Sequence, residues 1–370
     1  MMSRIPDCTI IGGGLIGMLT ARELLLAGLS VQVLERGEIG RESSWAGGGI
    51  LSPLYPWRYP DPVSELAQAS QRLYPALLEA VQAEGGGDAQ WTQSGLLMPG
   101  CGEVAAAHEW AARYGVTYEC LSADEMARCA PEMGTLAVES GIFLPEVAQV
   151  RNPRLAQALR ASLLALGAEI RPGCEVMSIE HARDRLSGLR LASGEHLACK
   201  QLVVAGGAWS GELLRPLGLD LPVEPVRGQM LLYRTAPGTV QRILLYKDRY
   251  VIPRRDGHVL VGSTLERVGF NKQTTETARV DLEAAATEIV PALANFPVEM
   301  HWAGLRPGSP DGTPFIGKHP YISGIYINSG HYRNGVVLGP ASAQLLAGQL
   351  LGQPALIPLT AYDPAKYVKM

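Results

Sequence analysis

The spacing of apolar and polar positions predicts a mixed fold. The chain opens with a buried strand (CTII), a glycine turn (GGGLIG), a helix from Leu15 to Ala27 and a second strand (VQVLE), which together make a βαβ unit. Helical patterns return at 63–83, 103–114, 152–167, 280–294 and 335–352, and Asn152 is predicted to cap the third of these helices. From 225 to about 264 the alternation in QMLLYR, ILLYKDRYVIPR and HVLVGSTL predicts antiparallel strands joined by turns. The fold class is α/β at the start and α+β overall.

Composition narrows the class of protein. The 370 residues, 47% hydrophobic and 18% charged, can bury a large core and favour two domains over one. The formal charge of -4 comes from interspersed acids and bases, so no footprint for nucleic acid or an anionic membrane surface is visible. Arg22 and Glu23 interrupt the apolar run from 8 to 34, which we therefore assign to a soluble protein. Six separated cysteines without CxxC or metal-ligand spacing predict reduced thiols in the cytoplasm and no metal site.

The glycine turn has the spacing of a dinucleotide site. Gly12, Gly14 and Gly17 give a tight turn, close approach of the backbone to a pyrophosphate, and close packing of helix on strand. Glu35 follows Gly17 by eighteen residues, at the end of the second strand. A carboxylate there can accept hydrogen bonds from ribose hydroxyls, and it disfavours NADP. The pattern alone also fits an ordinary tight turn, but this context predicts dinucleotide binding.

The segment EIGRESSWAGGGILSPLYPW is predicted to be a loop, because it is glycine-rich and irregular. Gly47, Gly48 and Gly49 allow a backbone to lie against a flat ring, and Ser43 and Ser44 offer hydroxyls to phosphate or ribitol oxygens. A flexible surface loop is the alternative. Apolar residues within the segment make solvent exposure costly, which favours the cofactor interpretation. Farther along, a predicted strand (QLVVA) leads into the small residues of GGAWS at the start of a helix. This pattern predicts a second segment of the chain that lies close to the dinucleotide.

Five motifs now identify a family. IIGGGLIG with Glu35, SSWAGGGIL, VVAGGAWS, WAGLRPGSPDGTPFIG and GHYRNGVVLGPA, in this order, resemble the D-amino-acid oxidase superfamily and within it the bacterial glycine oxidases. The resemblance spans nearly the whole chain. It implies a Rossmann-like FAD-binding domain interleaved with an antiparallel-sheet substrate domain. The implied FAD-binding segments are 1–87, 149–222 and 303–370, and the substrate segments are 88–148 and 223–302.

The resemblance also implies cofactor contacts at matching positions, most of them through the backbone. Together with the glycine turn (Gly12, Gly14, Gly17), the implied contacts are Leu15, Ile16, Glu35, Arg36, Ser43, Ser44, Gly48, Gly49, Ile50, Val176, His331, Tyr332, Arg333, Asn334, Gly335, Val336 and Val337. The last set would bring a helix N-terminus near the flavin pyrimidine, where negative charge develops on reduction. A simple helix start is the alternative for that set.

Three residues are candidates for the substrate site. Arg306 matches the family's carboxylate clamp, a role that the bidentate fork of an arginine suits. Arg333 matches a second arginine at the substrate, and Tyr250 matches a tyrosine that lines the pocket, although it could be an ordinary sheet aromatic. Asp248 and Leu265 flank the same region, and we expect them to tune substrate size.

The chain offers no Ser/His/Asp set and no paired histidines, so we expect no side chain to act as acid or base. The resemblance implies oxidative deamination of glycine and other small amines, such as sarcosine and small D-amino acids, to the imine or 2-oxo acid. A hydride passes to the flavin, and dioxygen reoxidises it to give hydrogen peroxide. A place in thiamine thiazole synthesis is implied as well, as is a homotetramer.

Two other functions stay open at this point. The first is an FAD-dependent D-amino-acid dehydrogenase that passes electrons to a quinone, and the second is a non-catalytic flavoprotein. Retention of Arg306 in its motif argues against the second. Relatives that attach FAD covalently use a cysteine in the C-terminal part, whereas no cysteine follows Cys199 here, so we expect non-covalent FAD.

Overall fold

The computed structural model describes residues 5–134 and 136–367. Its strands, in chain order, are β1 (Cys8–Ile11), β2 (Val31–Leu34), β3 (Thr92–Gln93), β4 (Leu96–Pro99), β5 (Glu119–Ser122), β6 (Ser140–Leu144), β7 (Ala148–Gln149), β8 (Glu169–Arg171), β9 (Val176–Ala182), β10 (Arg185–Leu191), β11 (His196–Ala198), β12 (Leu202–Val204), β13 (Glu224–Arg234), β14 (Ile243–Tyr246), β15 (Arg249–Pro253), β16 (His258–Gly262), β17 (Val298–Gly308), β18 (Phe315–Lys318) and β19 (Ile325–Ser329).

The α-helices are α1 (Leu15–Leu26), α2 (Ser43–Ala46), α3 (Asp61–Ala83), α4 (Val104–Tyr114), α5 (Ala123–Cys129), α6 (Asn152–Ala165), α7 (Ser210–Leu214), α8 (Glu276–Ile289) and α9 (Gly335–Leu351). Short 3-10 helices lie at Pro56–Arg58, Pro131–Met133, Gly207–Trp209, Arg215–Leu217, Pro291–Asn295, Leu359–Ala361 and Pro364–Tyr367.

A six-stranded sheet carries the N-terminal motifs. Its order is β18-β19-β12-β1-β2-β8, and every neighbour is parallel except the β18–β19 pair. Ile10, Val33 and Val203 face α1, α3, α6 and α9, whereas the next residue of each strand faces the three-stranded sheet β11-β10-β9. Burial on both faces explains why β1, β2 and β12 are mostly apolar and buried along their whole length. The strands end at one carboxyl edge, so the turns that follow them meet there.

An eight-stranded sheet of order β17-β13-β16-β15-β14-β4-β6-β5 forms the other half of the fold. It is antiparallel except for the parallel β14–β4 pair. Val251, Val259 and Val261 point toward α8, while Tyr250 and Ile252 point to the opposite face. This alternation agrees with the predicted strand period. The β14–β15 hairpin turns through two residues of positive φ, Lys247 and Asp248, as a type I′ turn requires.

Local predictions failed in three places. The 38–57 segment is not wholly a loop, because 43–46 form α2 and a 3-10 helix begins at Pro56. Asn152 does not cap α6: Arg151 is the N-cap, and the buried Asn152 amide has no hydrogen-bond partner. The helix predicted at 280–294 is α8, which begins four residues earlier and gives way to a 3-10 helix at Pro291.

Strand β17 runs across the domain boundary predicted at 303, because it pairs with β13 as far as Gly308. Residues 1–4, 135 and 368–370 of the predicted domain ranges lie outside the described residues. All six cysteines are described, and none forms a disulfide. No helix in 5–134 or 136–367 is both long and apolar enough to cross a membrane.

Candidate active site

One continuous cavity lies along the carboxyl edge of the six-stranded sheet and reaches the eight-stranded sheet. The residues that directly follow β1, β2 and β12 line it, namely Gly12, Glu35 and Ala205, and so do Asn328 and Ser329 at the end of β19. Tyr250 and Arg306 of the other sheet line the same cavity. A ligand can therefore contact both halves of the fold at once.

The glycine turn leaves no room for side chains. A Cβ placed on Gly12 would lie 2.3 Å from the carbonyl oxygen of Ala205, and one on Gly17 would lie 1.9 Å from the carbonyl oxygen of Gly12. Gly12 has a φ of 106°, which side chains rarely tolerate. Gly17 therefore packs α1 against β1, as the spacing predicts, and does not itself line the cavity.

Backbone amides hold Glu35 in place beside this turn. Its two carboxylate oxygens accept hydrogen bonds from the N–H groups of Gly13 at 2.8 Å and Gly37 at 3.0 Å. Ser44 binds the same region, because its Oγ accepts from the N–H of Leu15 at 2.7 Å. Arg36 lies over the indole of Trp209, with its Cζ 3.5 Å from the ring centre. Carboxylate, hydroxyl and stacked guanidinium thus surround the N-terminus of α1.

The turn before α9 contributes polar groups to the cavity. Burial lowers the pKa of His331 to about 3, so the imidazole is neutral, and its Nε2 lies 2.8 Å from Ser342 Oγ. The Nδ1 of His331 and the Nδ2 of Asn334 are buried and have no hydrogen-bond partner among the described residues, although both residues line the cavity. Buried polar atoms without partners are costly, which indicates that a polar ligand completes them.

Arg306 extends from β17 over a glycine of the neighbouring strand. A Cβ on Gly228 would lie 2.2 Å from both guanidinium Nη atoms, so only glycine permits this position. Nη2 donates to Ser263 Oγ at 2.7 Å, and Nη1 donates to the Thr264 carbonyl at 3.2 Å. These contacts fix the plane of the guanidinium group at the cavity wall.

Arg306 and Arg333 both contribute positive charge to the cavity. Neither forms an ion pair with a carboxylate among the described residues, and both line the cavity. Desolvation lowers the pKa of Arg306, and the nearby Arg333 charge lowers it further. Two cations that pair with no carboxylate among the described residues, one of them desolvated, favour an anionic ligand in this cavity.

Tyr250 lies between two glycines. A Cβ on Gly262 would lie 2.7 Å from its Cε2, and a Cβ on Gly48 would lie 3.3 Å from the same atom. Its ring is 7% exposed, and the residue lines the cavity beside Arg306. The glycines therefore let one aromatic ring join the cofactor loop to the substrate sheet.

Most of the residues expected at the site line this cavity. They are Gly12, Gly14, Leu15, Ile16, Glu35, Arg36, Ser43, Ser44, Gly48, Gly49, Ile50, Val176, Tyr250, Arg306, His331, Tyr332, Arg333, Asn334, Gly335 and Val336. Val337 does not, because its side chain is buried in the core beneath α9. Asp248 and Leu265 do not line it either: their positions are exposed, and Asp248 lies 3.7 Å from Arg58.

Sequence reasoning missed several residues around the cavity. Trp209 and Leu54 line it, and Ser263 orients Arg306. Trp209 lies in the GGAWS segment that predicted a second approach to the dinucleotide, so its ring was a usable signal. Nothing in the sequence around Ser263 indicated that its hydroxyl meets Arg306, since the two are far apart in the chain.

The cavity fits FAD. The glycine turn lets a pyrophosphate approach the N-terminus of α1, and the Glu35 carboxylate can accept hydrogen bonds from a ribose. The buried Nδ1 of His331 and Nδ2 of Asn334 can form hydrogen bonds to a polar ring. No group of histidine, cysteine or acidic side chains in the described ranges could hold a metal ion.

Comparisons with known proteins agree with this geometry. Residues 7–349 match the family described as FAD dependent oxidoreductase. A glycine oxidase of Pseudomonas aeruginosa is 47% identical over 357 residues, covering 96% of this chain and 98% of that protein. A bifunctional protein ThiO/ThiG of Synechocystis is 32% identical, with 99% of this chain matching 55% of that protein.

Among solved structures, the glycine oxidase of Geobacillus kaustophilus superimposes with a TM-score of 0.93 at 27% identity, covering 99% of this chain and 100% of that one. The predicted combination of a Rossmann-like cofactor half with a mostly antiparallel sheet is thereby confirmed, as is FAD as the cofactor. The chain belongs to the family of FAD-dependent oxidoreductases that includes the glycine oxidases.

Proposed function

We propose that this protein oxidises glycine and related small amines, such as sarcosine and small D-amino acids, to the imine or 2-oxo acid. Dioxygen is the final acceptor and becomes hydrogen peroxide. The observation that carries the proposal is a pair of arginines in the cavity that fits FAD, Arg306 and Arg333, which form no ion pair with a carboxylate in the described part of the chain. The 47% identity to a glycine oxidase supports the choice of substrate.

The side chains act by binding and orientation. Arg306 binds the substrate carboxylate through both Nη atoms, whose direction Ser263 and Thr264 set. Tyr250 closes the pocket beside it and, with the ring held between glycines, limits the size of the substrate side chain. FAD, when bound, supplies the hydride acceptor. The neutral His331 is not placed as a base, since its Nε2 is occupied by Ser342.

Arg306→Ala tests the clamp. Loss of charge-assisted hydrogen bonds worth about 1.5–3 kcal/mol should raise KM for glycine roughly 10- to 150-fold. Arg279→Ala is a matched control, because Arg279 lies on the exposed face of α8 and pairs with Glu283. An unchanged KM in Arg306→Ala would remove this residue from the role.

A peroxide assay of the purified holoenzyme against glycine, sarcosine and D-alanine tests the reaction. Peroxide formation with at least one of these amines is expected. Turnover with an artificial electron acceptor but no oxygen uptake would instead identify a dehydrogenase, and no turnover with either acceptor would identify a non-catalytic flavoprotein.

The proposal extends to the setting of the enzyme. We infer a cytoplasmic homotetramer with no nucleic-acid or membrane partner, and the free thiols of all six cysteines support the cytoplasm. A place in thiamine thiazole synthesis, where the imine is the useful product, is supported by the match to one half of a ThiO/ThiG protein. A strain that lacks this protein should grow poorly in medium without thiazole, and normal growth there would contradict that place.

A further inference from the structure

Arg254 directly follows β15, the strand that carries Tyr250, and its side chain turns toward the glycine loop, Gly47–Gly49. The residue is only 8% exposed. The strand itself contacts the loop, since a Cβ on Gly48 would lie 2.7 Å from Ile252 Cδ1. The loop lines the cofactor cavity on its other side. Arg254 therefore lies behind the loop as seen from the cofactor.

The guanidinium group forms hydrogen bonds to two segments of the chain. Nη2 donates to the carbonyl of Gly48 at 2.8 Å. Nη1 donates to the carbonyl of Val150 at 3.0 Å and to Oε1 of Gln149. All three acceptors are neutral, so the fork fixes geometry without cancelling the charge.

The glycine loop lies directly on the same backbone. Gly49 has a φ of 77°, and a Cβ there would lie 2.0 Å from the carbonyl oxygen of Val150. That carbonyl also accepts a hydrogen bond from Arg254. The loop and the guanidinium group therefore both contact the carbonyl of Val150, and a shift of Arg254 would move the loop relative to the cavity.

The charge of Arg254 lacks an acidic partner. No carboxylate among the described residues forms an ion pair with it, and Asp256, which attracts it, is bound by Arg151. Desolvation lowers the pKa of Arg254 to about 9, so it remains charged near neutrality. A buried cation of this kind reduces stability unless another negative charge compensates for it.

We propose that Arg254 is a positioning residue for the flavin: through the Gly48 carbonyl it fixes the loop against the bound cofactor, and its uncompensated charge favours the electron-rich reduced form. The proposal rests on FAD binding alone and does not depend on which amine is oxidised.

Arg254→Gln and Arg254→Lys separate the two effects. Both variants lose the three-bond fork, so each should bind FAD at least tenfold more weakly, measured by fluorescence titration of the deflavinated protein. Only the glutamine variant removes the charge. Its flavin reduction equilibrium should shift at least tenfold toward the oxidised form, about 30 mV for two electrons, in an anaerobic titration against a reference dye. In the lysine variant, the flavin reduction equilibrium should stay within threefold of wild type.

Arg255→Gln is the matched control. The neighbouring Arg255 is half exposed and pairs with Asp88, so its loss should change neither FAD affinity nor the reduction equilibrium. Wild-type FAD affinity in Arg254→Gln, or an unshifted reduction equilibrium in it, would overturn the proposal. If that variant does not fold, Arg254→Lys decides, because wild-type affinity together with an unchanged visible flavin spectrum would equally overturn it.

Discussion

Replacing Gly228 by alanine should displace Arg306 without disturbing the fold. The new Cβ would lie 2.2 Å from both Nη atoms, whereas ordinary contacts begin at 3.4 Å, so the guanidinium must retreat by about 1.2 Å. The obstructing atoms are the far end of a flexible side chain, and Gly228 has no positive φ. Alanine also reduces the entropy of the unfolded chain, so we expect stability to change by less than about 1 kcal/mol.

The substrate site should respond far more strongly. Retreat of the guanidinium breaks its hydrogen bond to Ser263 and misaligns the carboxylate fork. Loss of one to two charge-assisted bonds, about 1.5–3 kcal/mol, corresponds to a roughly 10- to 150-fold rise in KM for glycine. Acetate, a carboxylate without the amine, should lose affinity by a similar factor in a flavin absorbance titration.

The control for this variant is Gly102→Ala, where a Cβ would meet nothing within 4 Å. Wild-type KM and acetate affinity in Gly228→Ala would refute the reasoning, because the clamp would then tolerate displacement or lie elsewhere. A large loss of thermal stability would refute the premise that only the side chain of Arg306 moves.

Three further predictions concern the cofactor, the clamp and pH. Acid precipitation of the holoenzyme should leave a colourless pellet, because no cysteine follows Cys199; a yellow pellet would contradict non-covalent FAD. Ser263→Ala should raise KM for glycine roughly tenfold with a smaller change in kcat, and equal losses in both would argue for a different role. Burial lowers the pKa of His319 from 6.5 to about 4. As the pH falls from 6.5 towards 4, the unfolded chain binds a proton at this imidazole before the folded protein does. The free energy of unfolding therefore decreases by at most about 3 kcal/mol. In His319→Asn the new side chain can still accept hydrogen bonds from the N–H groups of Tyr321 and Ile322. Its free energy of unfolding, measured with urea, should therefore decrease less than that of wild type as the pH falls. Identical pH profiles for the two proteins would contradict this.

The cofactor half was predictable because its signals are local. Gly17 is needed where α1 packs on the turn that follows β1, and Glu35 ends a strand that pairs directly with β1. Strand, turn and helix therefore follow one another in the sequence as they do in space. The positions of Arg306 and Tyr250 followed from family resemblance, and the structure brings both to the same cavity.

The remainder depends on contacts between distant parts of the chain. Strands β4, β5 and β6 were not recognised, because β4 is only four residues long and gains its place by pairing with β14. The bonds of Ser263 to Arg306 and of Arg254 to Gly48 link residues separated by 43 and 206 positions. The local pattern of apolar and polar residues does not reveal hydrogen bonds between such distant residues. It also does not distinguish a buried arginine from an exposed one.

The order of strands in the six-stranded sheet has a consequence for synthesis of the protein. Strand β12 lies between β1 and β19, and α9 packs on α1. The ribosome must therefore release almost the entire polypeptide before the first βαβ unit gains its final neighbours. We expect nascent chains that end before β19 to lack FAD, because β19 and the turn before α9 line the cavity and are then not yet synthesised. Cofactor binding would then follow the synthesis of nearly the whole chain.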